Sequence, residues 1–549
     1  MNFGFAVAAA TILSLTITNA PARAALGDHA WSQGWGVNGV GCAVDGAGAS
    51  SIAGTVNGAV DLGGGVLPGG GGDVFVAKYA ADGSHVWSGI YDATSFPNVT
   101  AVACTPAGDT YVAGVLSKGG TIDFGGGPIG GSFGEMWAVH FDAVGNHVWS
   151  DTFGTGVIND VDANDSHVVF AARNTGIANF GGGDLTVSGN VQTIVAMLTP
   201  CGAHEWSTAF GDAAVQEGRE VGIAANGDVV LLSSVLGTTN FGGGALTADA
   251  NSDLALAKFD VSGGHVWSQL FTGQFGAFTI FNTGMDVNTS GSIVLTGEFT
   301  GSTTFGGATF VSNGLDIFVA RFDGGGIHNY SAQFGGVGDQ SGTVAWFDPS
   351  FNIMLAGSFL GTLDFGAGAL PTPTARSAYV ASIASNGTLR YAKSFGGTSS
   401  VSRVEGAAGP NGEAIFSTTS FAAIDFGGGP VTGSHFLAKL EGEETTETAT
   451  PLVGAPQRDE LSVYPNPFVS NATIRFGTTS GSAGPTRVRI FDAAGREVRT
   501  FEGFASGGAP QTVSWDGRSA SGVGVVPGVY FVRLEAGDRS QAARVVRIR

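Results

Sequence analysis

Apolar and polar residues alternate in short runs along this chain, and stretches rich in helix-favouring Glu, Lys and Leu are scarce. In His85-Val86-Trp87-Ser88, His and Trp share one side of the chain and alternate with the other two residues, the period of a β-strand. Turn signals separate the runs: Asp82-Gly83, Asn226-Gly227-Asp228, Asn386-Gly387 and Asn411-Gly412-Glu413. Asn-Gly supplies the positive φ angles that a tight hairpin needs. The pattern predicts an all-β chain of short strands and tight turns.

The runs also repeat. An aromatic residue followed by a small one recurs at Trp31, Trp87, Trp149, Trp206, Trp267, Tyr330 and Tyr391, at spacings of 56 to 63 residues. Six of these carry a His two residues earlier, at His29, His85, His147, His204, His265 and His328. A DFGGG-like signature places its apolar residue at Leu62, Phe124, Phe180, Phe241, Phe305, Phe365 and Phe426. A third signature, FVAK, stands at Phe75–Lys78, Phe318–Arg321 and Phe436–Lys439, with looser copies between. Each unit reads as four strands, the first carrying the Trp, with a variable segment leading to the second. Seven such units predict a seven-bladed β-propeller, whose closure protects strand edges. Closing the ring sets the strand around Trp31 beside the strand around Phe436. A β-helix is the main rival, but its coils are far shorter than these units.

Composition sharpens the picture. The 92 Gly and 38 Phe among 549 residues, with only 13% charged, suit packed strands and turns rather than disorder. The net charge of −21 is uneven: residues 1–458 carry −24, whereas residues 459–549 carry +3, with eleven Arg and no Lys. That shift marks a domain boundary. The acidic part repels nucleic acid and anionic lipid, so neither is expected as a partner. Cys42, Cys104 and Cys201 are too few for a disulfide framework and lack zinc spacing; a Cys42–Cys104 bridge between neighbouring repeats stays open. Residues 1–24 read as a signal peptide, with an apolar run from Phe5 to Ile17 and Ala22-Arg23-Ala24 before the cleavage point, although no Lys or Arg precedes the run. No later segment has the length and apolarity of a membrane-spanning helix. The expected organisation is residues 1–24 signal peptide, 25–441 propeller, 442–458 an acidic Thr/Pro-rich linker, and 459–549 an immunoglobulin-like sandwich.

Two resemblances rest on specific residues. The stretches Gly108-Asp109-Thr110-Tyr111-Val112-Ala113-Gly114 and Asp316-Ile317-Phe318-Val319-Ala320-Arg321-Phe322-Asp323 resemble the bacterial SBBP β-propeller repeat, which implies a propeller but no defined activity. The tail carries Tyr464-Pro465-Asn466-Pro467-Phe468, a turn through Gly495 and Arg496, Trp515-Asp516-Gly517, and a strand from Gly528 through Tyr530. These motifs, in this order, resemble the type A C-terminal sorting domain of type IX secretion cargo, similar to the immunoglobulin-like fold of flagellar hook-capping proteins. The resemblance implies export across the outer membrane, with the secretion machinery as partner and the cell surface or medium as destination.

Catalytic signatures are scarce. No HExxH, P-loop or Cys-His pairing occurs. Seven of the nine His fall on repeat positions, counting His140 where other units have Lys78, Lys258 and Arg321, which leaves His167 and His435. Glycine runs recur in every unit and are turn geometry. Asp160, Asp162 and Asn164 alternate as in a calcium loop, but the Gly at the sixth position and the Glu at the twelfth are absent; the segment reads as a hairpin turn, and no metal or cofactor is expected. The segments that differ most between units run roughly over Thr155–Val161, Asp212–Glu220, Thr272–Asn282, Val337–Thr343 and Thr398–Glu405. They are read as loops converging on one propeller face, with Glu217, Arg219, Glu220, Phe278, Asp339, Arg403 and Glu405 as ligand-face candidates for a glycan or protein. The expected function is a secreted or surface-exposed, non-enzymatic binding or structural module. The alternative is a secreted carbohydrate-active enzyme, a glycoside hydrolase or polysaccharide lyase, using a carboxylate pair on the propeller.

Overall fold

The computed structural model describes residues 25–186, 191–212, 214–249, 252–275, 283–442, 460–464, 471–477, 486–492, 495–504, 511–536 and 539–547. Among these every regular element is a β-strand, and no helix is long and apolar enough to cross a membrane. The chain divides into two compact units, residues 1–445 and 446–549. The expected signal peptide and most of the expected linker lie outside the described residues.

The larger unit is built from seven antiparallel arrays of four strands. The fourth is representative: Gln216–Ile223, Val229–Val235, Asp253–Phe259 and His265–Phe271 follow one another across the sheet. The Trp-bearing strand is therefore the last and outermost of its sheet, paired only with the FVAK-type strand, so the sequence units are offset by one strand from the sheets. The variable segments also differ from expectation. Much of their length, including Gln216–Ile223 and Val401–Ala408, is itself the first strand of a sheet rather than a loop. A second departure lies between the second and third arrays, which share the 17-residue strand His147–Ala163 and form one continuous sheet.

The seventh array is completed from far away in sequence. Val401–Ala408, Ala414–Ser420 and His435–Leu440 are joined by His29–Trp35, with Gly34 opposite Phe436 and Trp31 opposite Lys439. First strands also pack on first strands: Asn38–Val44 touches Pro97–Cys104, the series continues sheet by sheet, and Val401–Ala408 touches Asn38–Val44 again.

The repeated signatures have physical reasons. In the FVAK-type strand, Val74, Phe75, Val76 and Ala77 are all fully buried, because sheets cover both of its faces. In the DFGGG loop, Asp123 Oδ1 accepts the N–H groups of Gly125 (2.8 Å) and Gly127 (3.0 Å), and Phe124 is buried. The His147 ring lies over Gly126, where a methyl group would sit 2.3 Å from it, and His147 Nε2 meets Ser150 Oγ at 3.1 Å. The aromatic residue reaches the next sheet. Trp149 Nε1 donates to Pro200 O at 2.9 Å, and its ring covers Gly202, a turn residue at φ 80°. The same contact recurs as Trp31 on Gly83, Trp87 on Gly145, Trp206 on Gly263, Trp267 on Gly326, Tyr330 on Gly387 and Tyr391 on Gly27. Seven aromatics thus join seven sheets in succession.

The smaller unit has two sheets. Glu460–Tyr464, Ala472–Gly477 and Gln511–Trp515 form one, and Glu497–Phe504, Thr486–Asp492, Gly528–Ala536 and Arg539–Arg547 form the other in that order. Ile474, Phe476, Val488, Ile490, Trp515, Val532 and Leu534 share one core, as expected of a small sandwich.

If the aromatic-on-glycine contact couples sheets, Trp149→Ala destabilises the protein by about 2–4 kcal/mol. Val148→Ala, at a neighbouring position that is 44% exposed, stays within about 0.5 kcal/mol. Urea denaturation midpoints of the two variants check this.

Candidate functional site

The first strands of all seven arrays line a channel. Its lining includes Cys42, Val102, Asp160, Glu220, Asp286, Val344 and Glu405, with cavities of ≈100 and ≈320 Å³ along it. Asp160, Glu220 and Glu405 each sit three residues before the end of their strand, where other strands have Gly41, Ala101 and Val344. Asp162 and Asp286 each sit one residue before the end, where others have Ala43, Ala103, Gly222, Trp346 and Ala407. The carboxylates therefore break the repeat, and the structure gathers them.

Most of these carboxylates act on the neighbouring strand. Adjacent first strands share no ladder, so side chains make the bond instead. Asp160 Oδ2 accepts Val221 N–H, Asp162 Oδ2 accepts Ile223 N–H, and Asp286 Oδ2 accepts Phe347 N–H, each at 2.8 Å. Hydroxyl and amide groups do the same work with carbonyls: Thr343 Oγ1 donates to Val404 O at 2.6 Å, and Asn159 Nδ2 to Gly218 O at 2.7 Å. Arg403 Nε donates to Glu405 Oε1 at 2.7 Å.

Burial in a narrow channel, with carboxylates crowded together, disfavours their charged forms. Burial raises Asp160 to about 8, with Asp162 and Glu405 adding repulsion against the Val221 hydrogen bond. Burial likewise raises Asp162 to about 7. Burial, then Asp160 and Glu405, push Glu220 well up, partly countered by Arg403 and Arg219. Burial raises Glu405 and Asp286 too, countered by Arg403 and the Phe347 N–H respectively.

Of the ligand-face candidates, Glu220, Arg403 and Glu405 come together in this channel. Glu217 and Arg219 do not lie on an exposed loop. Both are 4% exposed within a strand, and Glu217 Oε1 pairs with Arg173 Nη1 at 3.1 Å; burial depresses Arg219, against the pull of Glu217 and Glu220. Asp339 stays on an exposed loop, 3.7 Å from Arg376, away from the channel. Phe278 lies outside the described residues. The calcium-like segment is corrected: Asp160 and Asp162 are strand residues, and only Asn164 lies in the turn, its Oδ1 accepting the N–H groups of Ser166 and His167 at 2.9 Å. Among the described residues no cluster of His, Cys, Asp or Glu is arranged to hold a metal. Cys42 and Cys104 are free thiols, so no bridge joins them. Cys42 approaches the carbonyls of Glu405 and Ile415, and burial pushes its thiol up to about 12, which makes it inert. His435 is fully enclosed, with neither ring nitrogen hydrogen-bonded, and burial brings it down to about 3. Sequence reasoning misses Asp286; its one signal is the position it shares with Asp162 relative to the strand end.

In the smaller unit, Tyr464 ends a strand, and Pro465, Asn466, Pro467 and Phe468 lie outside the described residues. Gly495 takes φ 78° in a turn where Arg496 Nε pairs with Asp492 at 2.7 Å. Trp515 packs edge-on against Tyr530 at 5.2 Å and donates to Arg518 O at 2.9 Å. Asp516 Oδ1 accepts Arg518 N–H at 3.1 Å, Gly517 O accepts Val525 N–H at 2.9 Å, and Gly528 opens the strand bearing Tyr530.

Residues 466–540 match the family described as the FlgD Ig-like domain, so the smaller unit carries an immunoglobulin-like domain. No match to a curated protein was found. Solved structures with similarity include PorZ, described as an essential bacterial surface component of the type-IX secretion system of Porphyromonas gingivalis, at 12% identity and TM-score 0.18, covering 92% of this chain and 91% of PorZ. Dimeric latent PorU of the same organism follows at 11% identity and TM-score 0.16, covering 70% of this chain and 34% of PorU. The apocarotenoid oxygenase of Synechocystis has 10% identity and TM-score 0.37, covering 75% of this chain and 94% of the oxygenase. Likenesses at these TM-scores leave function to the residues themselves.

The channel has a pH signature. A carboxyl whose folded value is raised stabilises the fold fully below its unfolded value near 4 and loses that contribution as pH climbs through the folded value. For Asp160 and Asp162 the loss runs from about pH 4 to about pH 8. His435, depressed in the fold, acts oppositely: its contribution is present above about pH 6.5 and disappears towards pH 3. From pH 6.5 to 8 the carboxyls dominate, because a depressed histidine has only about 0.4 kcal/mol left to gain there. Each tenfold difference in proton affinity between folded and unfolded chain is worth about 1.4 kcal/mol, which water in the channel trims, so stability falls by about 1–2 kcal/mol over this interval. Asp160→Asn with Asp162→Asn keeps the accepting oxygens and flattens the decline. Denaturation midpoints at pH 6.5 and 8 check both statements.

Proposed function

We propose that the larger unit is a closed seven-bladed propeller serving as a non-enzymatic binding or structural module, secreted or displayed at the cell surface. Three features support closure: the seventh sheet takes its outer strand from His29–Trp35, first strands touch in cyclic order, and the aromatic-on-glycine contacts run through all seven sheets. The observation that carries the non-enzymatic reading is the use of the gathered carboxylates. Asp160, Asp162 and Asp286 each commit an oxygen to a backbone N–H of the next strand, and Glu405 is engaged by Arg403. The three Asp contacts are cross-links between blades, and the Arg403–Glu405 pair lies within one strand.

The second reading, a carbohydrate-active enzyme, draws on one observation. Glu220, Asp160 and Glu405 face the same cavity with raised pKa values, and unequal carboxyls are what glycoside cleavage uses. The cavities of ≈100 and ≈320 Å³ that they border favour a small ligand over a polysaccharide chain.

For export, the reading is that residues 1–24 are a signal peptide, residues 442–458 a linker, and residues 459–549 a sorting domain recognised by type IX secretion machinery. The matching immunoglobulin-like domain and the Gly495-Arg496, Trp515-Asp516-Gly517 and Gly528-to-Tyr530 motifs support it. Deleting residues 459–549 in a host with that machinery is expected to hold the protein in the periplasm, where cell fractionation finds it, while the full chain reaches the surface or medium. Delivery of the truncated protein to the surface overturns the sorting role.

A further inference from the structure

The seam where the seventh sheet meets the first holds a second cavity, distinct from the channel. It measures ≈420 Å³ and is lined by Asn38, Ser402, Arg403, Thr419, Phe421 and Ser434, among others. It lies beside a short connection. Between the first and second sheets, the five residues Asp92–Phe96 fold back over the sheet: Ala93 N–H reaches Asp73 at 3.1 Å, and the Phe96 ring lies on Gly72. At the seam only Gly36 and Val37 separate His29–Trp35 from Asn38–Val44. Two residues are too few to fold back, and the space stays open.

The lining is chemically specific. Phe421 stands 92% exposed at the mouth, a ring with no protein surface to cover it. Ser402 and Thr419 are hydrogen-bonded to each other across two strands, and Ser434 Oγ donates to Val37 O at 2.8 Å, so the hydroxyl groups are held in place. Asn38 is exposed and offers both a donor and an acceptor. The Arg403 side chain also borders the cavity, its charge offset by Glu405. An aromatic plate beside converging neutral donors and acceptors, in a cavity within the usual ligand range of about 300–1,000 Å³, is the lining of a small polar ligand with one apolar face. A sugar ring has that form: C–H groups on one face and hydroxyls around the rim. The net charge of −21 sets the protein against polyanionic sugars.

We propose that this seam cavity binds a neutral saccharide, with the sugar face on Phe421 and its hydroxyls on Asn38, Ser402, Thr419 and Arg403. The assignment rests on the reading of the larger unit as a binding module and names its ligand class. The test is calorimetric titration of the full chain with maltohexaose, cellohexaose, laminarihexaose and xylohexaose, and with trigalacturonate as the acidic contrast. At least one neutral oligosaccharide is expected to bind. Phe421→Ala weakens that binding about tenfold or more, which is about 1.4 kcal/mol or more, and Phe421→Trp preserves it. Since Phe421 is exposed, neither change threatens the fold, and a matching urea midpoint confirms this. Absence of binding by all four neutral sugars, binding indifferent to Phe421→Ala, or binding of trigalacturonate alone overturns the proposal. Mass spectrometry of the recovered sugars separates the two readings: shortened products overturn the non-enzymatic reading but leave the seam site standing, whereas intact sugars without binding remove the seam site alone.

Discussion

Each sheet of the larger unit depends on an aromatic ring that does not pack within its own sheet but on a turn of the next. The ring needs a glycine beneath it, since a side chain on Gly202 or Gly145 would meet the indole at 3.1 or 2.7 Å, and the turn needs the same glycine for its positive φ. One residue satisfies two requirements, so the contact tolerates little change. Stability in such an arrangement is shared between neighbours rather than held in one core, as in repeat proteins generally. The hydrophobic residues accordingly fall into several clusters, most of them spanning adjacent sheets.

The opposite margin of each sheet solves a different problem. There the first strands face one another around a narrow channel without a shared ladder, and side chains must reach across. Asp is well suited because it is short and accepts backbone N–H groups strongly when ionised. Its cost is burial of the carboxyl, to which mutual repulsion adds, visible in the upward displacement of Asp160, Asp162 and Glu220. A channel knitted in this way carries buried carboxyls of raised proton affinity, whereas the seam cavity is lined mainly by hydroxyl and amide groups, with Arg403 bordering both.

This division explains what could be read from the sequence. The Trp, His, glycine and FVAK positions are legible because every sheet makes the same contacts with them, so the constraint repeats. The first strands are not. They are interrupted by bulges at Gly39/Gly41, Ile158/Asp160, Gly218/Glu220 and Gly342/Val344, and each bulge breaks the period-two alternation that marks a strand. Glu217 and Arg219, beside and within such a bulge, have the sequence pattern of loop charges and are buried. Asp160 and Asp162 have the pattern of a turn for the same reason. Asp286 becomes visible only when strand ends are aligned in space. The seam cavity has no sequence signal beyond the brevity of Gly36-Val37, which means something only once the neighbouring connections are seen to fold back.

Borrowing the outer strand of the last sheet from the start of the chain has a temporal meaning. Val37 and Ser434 are hydrogen-bonded across 397 residues, so during ribosomal synthesis the earliest strand waits for nearly the whole unit before its partner His435–Leu440 exists. Pairings so remote in sequence are slow to form, and until then six sheets can assemble while the seventh has no outer strand. The pairing of His29–Trp35 with His435–Leu440 is thus the last strand contact of the unit that synthesis can complete.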